Sequence, residues 1–190
     1  MVLAASPADA STRLAAAADA STATAFKPPH EFTARRMSPR PGAVAPGTVV
    51  KSSSLWTNRV FANASDGFAL VNEGSAQYPA RSLDGGRVWR IDGPQFHVDA
   101  LDAAEAVGYV GVLTPRTFYA YGGSVVDVTT DGGRSWWEAS LDGLVVAVVP
   151  GPKRDNLVAY AREQLSPALT SQYVSRDGGR TWTYTTDEID

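Results

Sequence analysis

From Thr48 to the end of the chain, short apolar runs alternate with clusters of Gly, Asp and Pro, as in Phe68–Asn72, Thr117–Tyr121, Ser124–Thr129 and Leu144–Val149. These are strand lengths, and the β-branched and aromatic residues in them fit a pleated surface. Two of the runs differ in texture. Val126, Asp127 and Val128 alternate apolar and polar, the pattern of a half-buried strand, whereas Leu144–Val149 is apolar throughout and suits a strand buried on both faces. The pattern predicts an all-β domain over residues 48–190.

Upstream the texture changes. Residues 1–25 hold 11 alanines among Ser, Thr and Asp, with no aromatic residue and no sustained apolar face, and read as an Ala-rich leader or flexible tail. As a secretory signal the segment is weak, because the first cation is Arg13 and Asp19 interrupts the Ala15–Ala18 run. Residues 26–47 contain Pro28, Pro29, Pro39, Pro41 and Pro46 with Lys27, Arg35, Arg36 and Arg40 among them, which reads as an extended linker with solvated cations.

Within the domain the chain repeats itself. Ser82-Leu83-Asp84-Gly85-Gly86-Arg87-Val88-Trp89 returns as Thr129-Thr130-Asp131-Gly132-Gly133-Arg134-Ser135-Trp136 and as Ser175-Arg176-Asp177-Gly178-Gly179-Arg180-Thr181-Trp182, with the aspartates 47 and 46 residues apart. The chemistry of the octet is that of a rigid hairpin: the aspartate accepts from loop amides, the glycines supply positive φ, and the Ser or Thr bonds the same loop. The tryptophan then enters the outgoing strand as a large ring over the hairpin base. A period near 45 residues built from strands is that of a propeller blade, a four-stranded antiparallel sheet that cannot bury its faces alone.

The pattern S/T-x-D-G-G-R-x-W resembles the Asp-box, or bacterial neuraminidase repeat. The resemblance covers residues 50–190 and implies a β-propeller of the kind found in sialidases, sortilin-type receptors, xyloglucan-active hydrolases and photosystem II assembly factors. It implies that the box residues Ser82, Asp84, Gly86, Trp89, Thr129, Asp131, Gly133, Trp136, Ser175, Asp177, Gly179 and Trp182 are structural, joining the third and fourth strands of each blade away from any central site. Counting back from each hairpin gives blades over residues 50–93, 94–140 and 141–190, the first opening with a strand from Ser54 to Ala62. Closed propellers have at least four blades. The ring is therefore incomplete, or completed by a degenerate blade near Ser38–Gly42, by a homodimer, or by further chain. The same resemblance favours an extracytoplasmic or secreted location.

The remaining composition narrows the chemistry. Lys and Arg number 17 against 20 Asp and Glu, a net charge of −3, so nucleic acid is not an expected partner, and no apolar run is long enough for a membrane-spanning helix. With no cysteine there is no disulfide scaffold or thiolate metal site. His30 and His97 lack a ligating partner at helical spacing, and the Asp-Gly-Gly loops lack the alternating carboxylates of a calcium loop, so no metal or cofactor is expected. Asp99, Asp102 and Glu105 read as a solvated connection rather than a catalytic pair. Arg59, Arg116 and Arg154 give one arginine per blade, but lie 25, 15 and 23 residues before their box aspartates and so do not match. Trp56, Arg59 and Trp137 remain as a candidate ligand surface. The function expected from the sequence is a non-catalytic binding or assembly module for a protein or glycan partner. The alternatives are a sialidase-like glycoside hydrolase whose site needs further blades or a second subunit, and a partial propeller with no function of its own.

Overall fold

The computed structural model describes residues 30–74, 76–96, 107–162 and 170–185. Residues 1–25, His97, Asp99, Asp102 and Glu105, on which several of the expectations above fall, lie outside the described residues. The protein is all-β, with three five-stranded antiparallel sheets that do not close into a ring.

Each sheet is an up-and-down run of four consecutive strands. Sheet I comprises β4 (Val60–Phe61), β5 (Gly67–Glu73), β6 (Ala76–Ser82) and β7 (Trp89–Ile91). Sheet II comprises β8 (Tyr109–Thr114), β9 (Thr117–Gly122), β10 (Val125–Thr129) and β11 (Trp137–Ser140). Sheet III comprises β12 (Leu144–Pro150), β13 (Leu157–Arg162), β14 (Thr170–Ser175) and β15 (Thr181–Thr185). The strand expected over Ser54–Ala62 is mostly something else: a 3-10 turn at Ser52–Ser54 and a single bridge from Leu55 to Val71 precede the two-residue β4. A side chain replaces a ladder partner there, since the Leu70 amide donates to the Thr57 hydroxyl at 2.9 Å.

The fifth strands of sheets III and II come from the segment read as a linker, and that of sheet I from the residues just after it. β1 (Glu31–Thr33) pairs with β15, β2 (Arg35–Arg36) with β11, and β3 (Val49–Val50) with β7. The N-terminal segment thus crosses the outer edges of sheets III, II and I in that order, as a strap. An unpaired edge is a row of open backbone donors and acceptors. The strap occupies several of them: Ala34 N–H donates to Arg180 C=O at 2.8 Å, Met37 N–H to Trp136 C=O at 2.9 Å, and Gly47 N–H to Ile91 C=O at 2.8 Å. Pro39, Pro41 and Pro46 fall between the paired positions, where no ladder donor is required. Residues 38–42 are part of this crossing and belong to none of the sheets.

The core lies in three layers. Between sheets I and II, Phe68 stacks on Trp136 with ring centroids 5.5 Å apart and packs on Phe118 at 5.2 Å. Between sheets II and III, Val126 and Val128 meet Val148, Ala159, Tyr173 and Trp182. The outer face of sheet I, with Val71, Tyr78, Trp89 and Ile91, is closed by Val50, Ala43, Val44 and Leu55. Position in this array decides burial more than strand pattern does. Asp127, on the polar phase of an alternating strand, is fully buried because sheet II is packed on both faces. The uniformly apolar Leu144–Val149 run is the reverse: Leu144, Val146 and Val149 are 40, 37 and 39% exposed, because β12 is an edge strand of the terminal sheet.

Candidate functional site

The three repeat hairpins form the same hydrogen-bonded loop. In each, the Ser or Thr hydroxyl donates to an aspartate Oδ1 (Ser82 to Asp84 at 2.7 Å, Thr129 to Asp131 at 2.9 Å, Ser175 to Asp177 at 2.9 Å). The same hydroxyl accepts from the second glycine's amide, of Gly86, Gly133 or Gly179, at 2.8–2.9 Å. Amides three or four residues after the aspartate close the loop on Oδ1, those of Val88, Ser135 and Thr181 among them. These donors hold the carboxylates below their usual pKa. For Asp84 the Val88 amide is the main cause; for Asp131 and Asp177 burial pushes upward but is outweighed by Ser135 and Thr181. Trp89, Trp136 and Trp182 are all at most 1% exposed. The first glycine's amide ties each hairpin to the first turn of its own sheet: Gly85 donates to Ser65 C=O, Gly132 to Arg116 C=O and Gly178 to Asp155 C=O.

That last bond makes Arg116 and Asp155 equivalent positions and sets Arg154 one residue away. Between the tips of sheets II and III it helps build a groove of about 720 Å³, with Arg116, Arg154, Arg176 and Arg180 on its walls beside Asp155 and Asp177. All four arginines are exposed, and none is in an ion pair among the described residues. Arg180 lies over the Trp137 ring, 5.4 Å from its centroid, which fixes one guanidinium by a cation–π contact. The walls approach closely where Gly178 meets Thr130: a Cβ at Gly178, whose φ is 71°, would collide with the threonine methyl. Both Asp177 oxygens are occupied by hairpin donors, Ser175, Arg180 and Thr181, so that carboxylate does not reach out to the guanidinium groups. Asp155 is the one described non-glycine residue with positive φ, at 68°.

The seam between sheets I and II carries different chemistry. Arg81 clamps it, donating to Gly132 C=O at 2.7 Å, to the Asp66 carboxylate at 3.2 Å and to Pro115 C=O at 3.2 Å. Burial pushes the Asp92 carboxyl up to about 7, against the pull of Arg81 and with a further push from Asp131. Asp92 also faces Gly133, whose missing side chain leaves the space its carboxylate fills. Deeper in sheet II, Asp127 is paired in register with Glu138, and Arg35 of the strap donates from Nε to Glu138 at 2.8 Å. Burial raises Asp127 well above the usual carboxylate range, and neighbouring Glu138 adds to the rise while Arg35 opposes it.

The candidate surface residues do not come together. Trp56 is 61% exposed in the loop before β4, where Arg59 donates weakly to Ser52 C=O at 3.5 Å, and Trp137 is half-buried beneath Arg180 on sheet II. Arg116 and Arg154 do converge, and Arg176, inside the third octet, joins them unanticipated. The signal for Arg154 was obscured because residues between β13 and β14 outnumber those between β9 and β10, which upset the count back from the aspartate. Among the described residues no cluster of His, Asp or Glu has the form of a metal site, and no helix is long and apolar enough to cross a membrane. Comparison with known protein families, with characterised proteins and with solved structures gave no match.

Proposed function

We propose that the chain is a non-catalytic binding module made of three Asp-box propeller blades, presenting its hairpin-tip loops to a protein or glycan partner. One observation carries the reading: four arginines, none of them in an ion pair among the described residues, share a groove walled by the hairpins of sheets II and III. The hydrogen-bonded hairpins and turns fix the backbone from which the arginines extend, and the Trp137 ring fixes the Arg180 guanidinium, which lowers the ordering cost of binding. The competing reading, a glycoside hydrolase, needs two carboxyl groups free to act on one bond. At the seam where burial raises the Asp92 carboxyl, both oxygens of the neighbouring Asp131 accept hydrogen bonds within their own hairpin, so among the described residues that carboxylate is not free to act beside it.

The test is to probe the full chain against panels of neutral and acidic glycans and peptides, with an Arg116→Ala/Arg176→Ala double variant alongside. Binding that the double variant loses is the expected result. Hydrolysis of a chromogenic glycoside by the wild-type chain, abolished by Asp92→Asn, would replace the binding reading with the enzymatic one.

A further inference from the structure

We infer that the groove between sheets II and III takes a strand of acidic polysaccharide, its sulfate or carboxylate groups seated on Arg116, Arg154, Arg176 and Arg180; the inference rests on the binding-module reading and names its ligand. The charge balance comes first. Four guanidinium groups face two carboxylates, and one of these, Asp177, has both oxygens engaged by its hairpin. The groove is therefore a cationic patch on a chain of net charge −3, and local charge of that kind draws an anionic ligand in. Every cation in it is arginine, whose planar fork binds the oxygens of carboxylate and sulfate in pairs where lysine offers a single point.

The walls then separate a sugar chain from a peptide. A peptide strand would add to open backbone groups or bury an apolar anchor. Here the Gly132 and Gly178 amides and the Arg116 and Asp155 carbonyls are already joined to each other across the turns, and Pro115 is the one sizeable apolar side chain on the lining. The Asp155 carboxylate adds a further distinction. It repels the charged groups of any polyanion, but an acidic polysaccharide can set a hydroxyl there to donate to it, whereas polyglutamate has no side-chain hydroxyl to offer. A groove of about 720 Å³ that opens to solvent has room for more than one sugar ring, which suits a stretch of polysaccharide.

The experiment titrates the full chain with four probes of matched length: dextran sulfate, polygalacturonate, neutral dextran and polyglutamate. Proteins are wild type, Arg154→Ala/Arg176→Ala, its charge-conserving Arg154→Lys/Arg176→Lys counterpart, and Arg36→Ala/Arg90→Ala as a control outside the groove. We expect dextran sulfate or polygalacturonate to bind and neutral dextran not to, with affinity falling as salt rises. The alanine pair weakens binding by roughly tenfold or more, the lysine pair by less, and the control pair leaves it unchanged. Which of the two acidic polysaccharides binds tighter identifies sulfate or carboxylate as the group recognised. Polyglutamate binding through the same arginines as tightly as the polysaccharides would overturn the inference while leaving the binding module standing. Equal loss in the control pair, or no binding by any polyanion, would overturn the groove as a site altogether. Unchanged urea midpoints in the variants show that the exposed arginines were removed without unfolding the chain.

Discussion

The two ends of the sheet array are finished differently. The outer face of sheet I is closed by its own chain: the strap lays Ala43, Val44 and Val50 over Val71, Tyr78 and Trp89, and the Val44 amide donates to the Tyr78 hydroxyl at 3.0 Å. The outer face of sheet III carries Val146 and Val149 more than a third exposed. The register shows that this is one repeat unit in two settings. Arg81, Val128 and Val174 each stand one residue before the hairpin Ser or Thr; Arg81 reaches the Gly132 carbonyl and Val128 touches Gly179 in the next sheet, while no further sheet among the described residues stands against Val174. Among the described residues the first end is closed by a packed layer and the second is not.

The largest effect belongs to the covered end. Tyr78 is 2% exposed and fills the space between sheet I and the strap. Tyr78→Ala should cost about 3–5 kcal/mol for the cavity, and the unpartnered Val44 amide about 1 kcal/mol more. Tyr78→Phe should cost only that second part. Urea unfolding of both variants separates cavity from hydrogen bond. Equal losses in the two would mean that the strap is not packed on this face.

The seam between sheets I and II should differ from both ends in its response to pH. The Asp92 carboxyl sits at about 7 in the folded chain against 3.8 as its ordinary value, burial being the main cause. The folded state therefore holds a proton that the unfolded state releases. Stability from this group is full below pH 3.8, falls as pH rises to about 7, and is flat beyond, a loss of up to about 4 kcal/mol. Asp127, also raised, acts in the same sense. Asp92→Asn should flatten much of the decline in urea midpoint between pH 4 and 8. A variant with the wild-type slope would mean that Asp92 is ionised throughout.

Much of this was legible in the sequence. The octets Ser82–Trp89, Thr129–Trp136 and Ser175–Trp182 specify their hairpins locally, since every donor and acceptor of the loop lies within a few residues of the aspartate. The strands they join follow from composition and spacing. The strap was not legible, because strands of two or three residues have no period to detect, and Arg35 looks like a solvated cation until Glu138 is seen opposite it. The groove was half legible. Arg116 and Arg154 stood out as arginines, but their kinship depends on the Gly132–Arg116 and Gly178–Asp155 hydrogen bonds, which tie hairpin to turn in space and not in residue count. Burial failed as a sequence reading at Asp127 and at Val146 for one reason: the number of sheets flanking a strand is a property of the array.

The smallest expected effect tests the open end directly. Val149 is 39% exposed on β12, and its in-register neighbour Val158 lies on the same face. A lysine there keeps its stem along the apolar sheet and puts the ammonium in water, so Val149→Lys should change stability by no more than about 0.5 kcal/mol. Val71→Lys, on the outer face of sheet I with no exposure, would bury a charge without a partner and should abolish cooperative folding. The contrast between the two lysines is the sharpest form of the comparison. A Val149→Lys loss of 2 kcal/mol or more would show that sheet III is also covered in solution, and a loss that grows with protein concentration would identify the cover as a second copy of the chain.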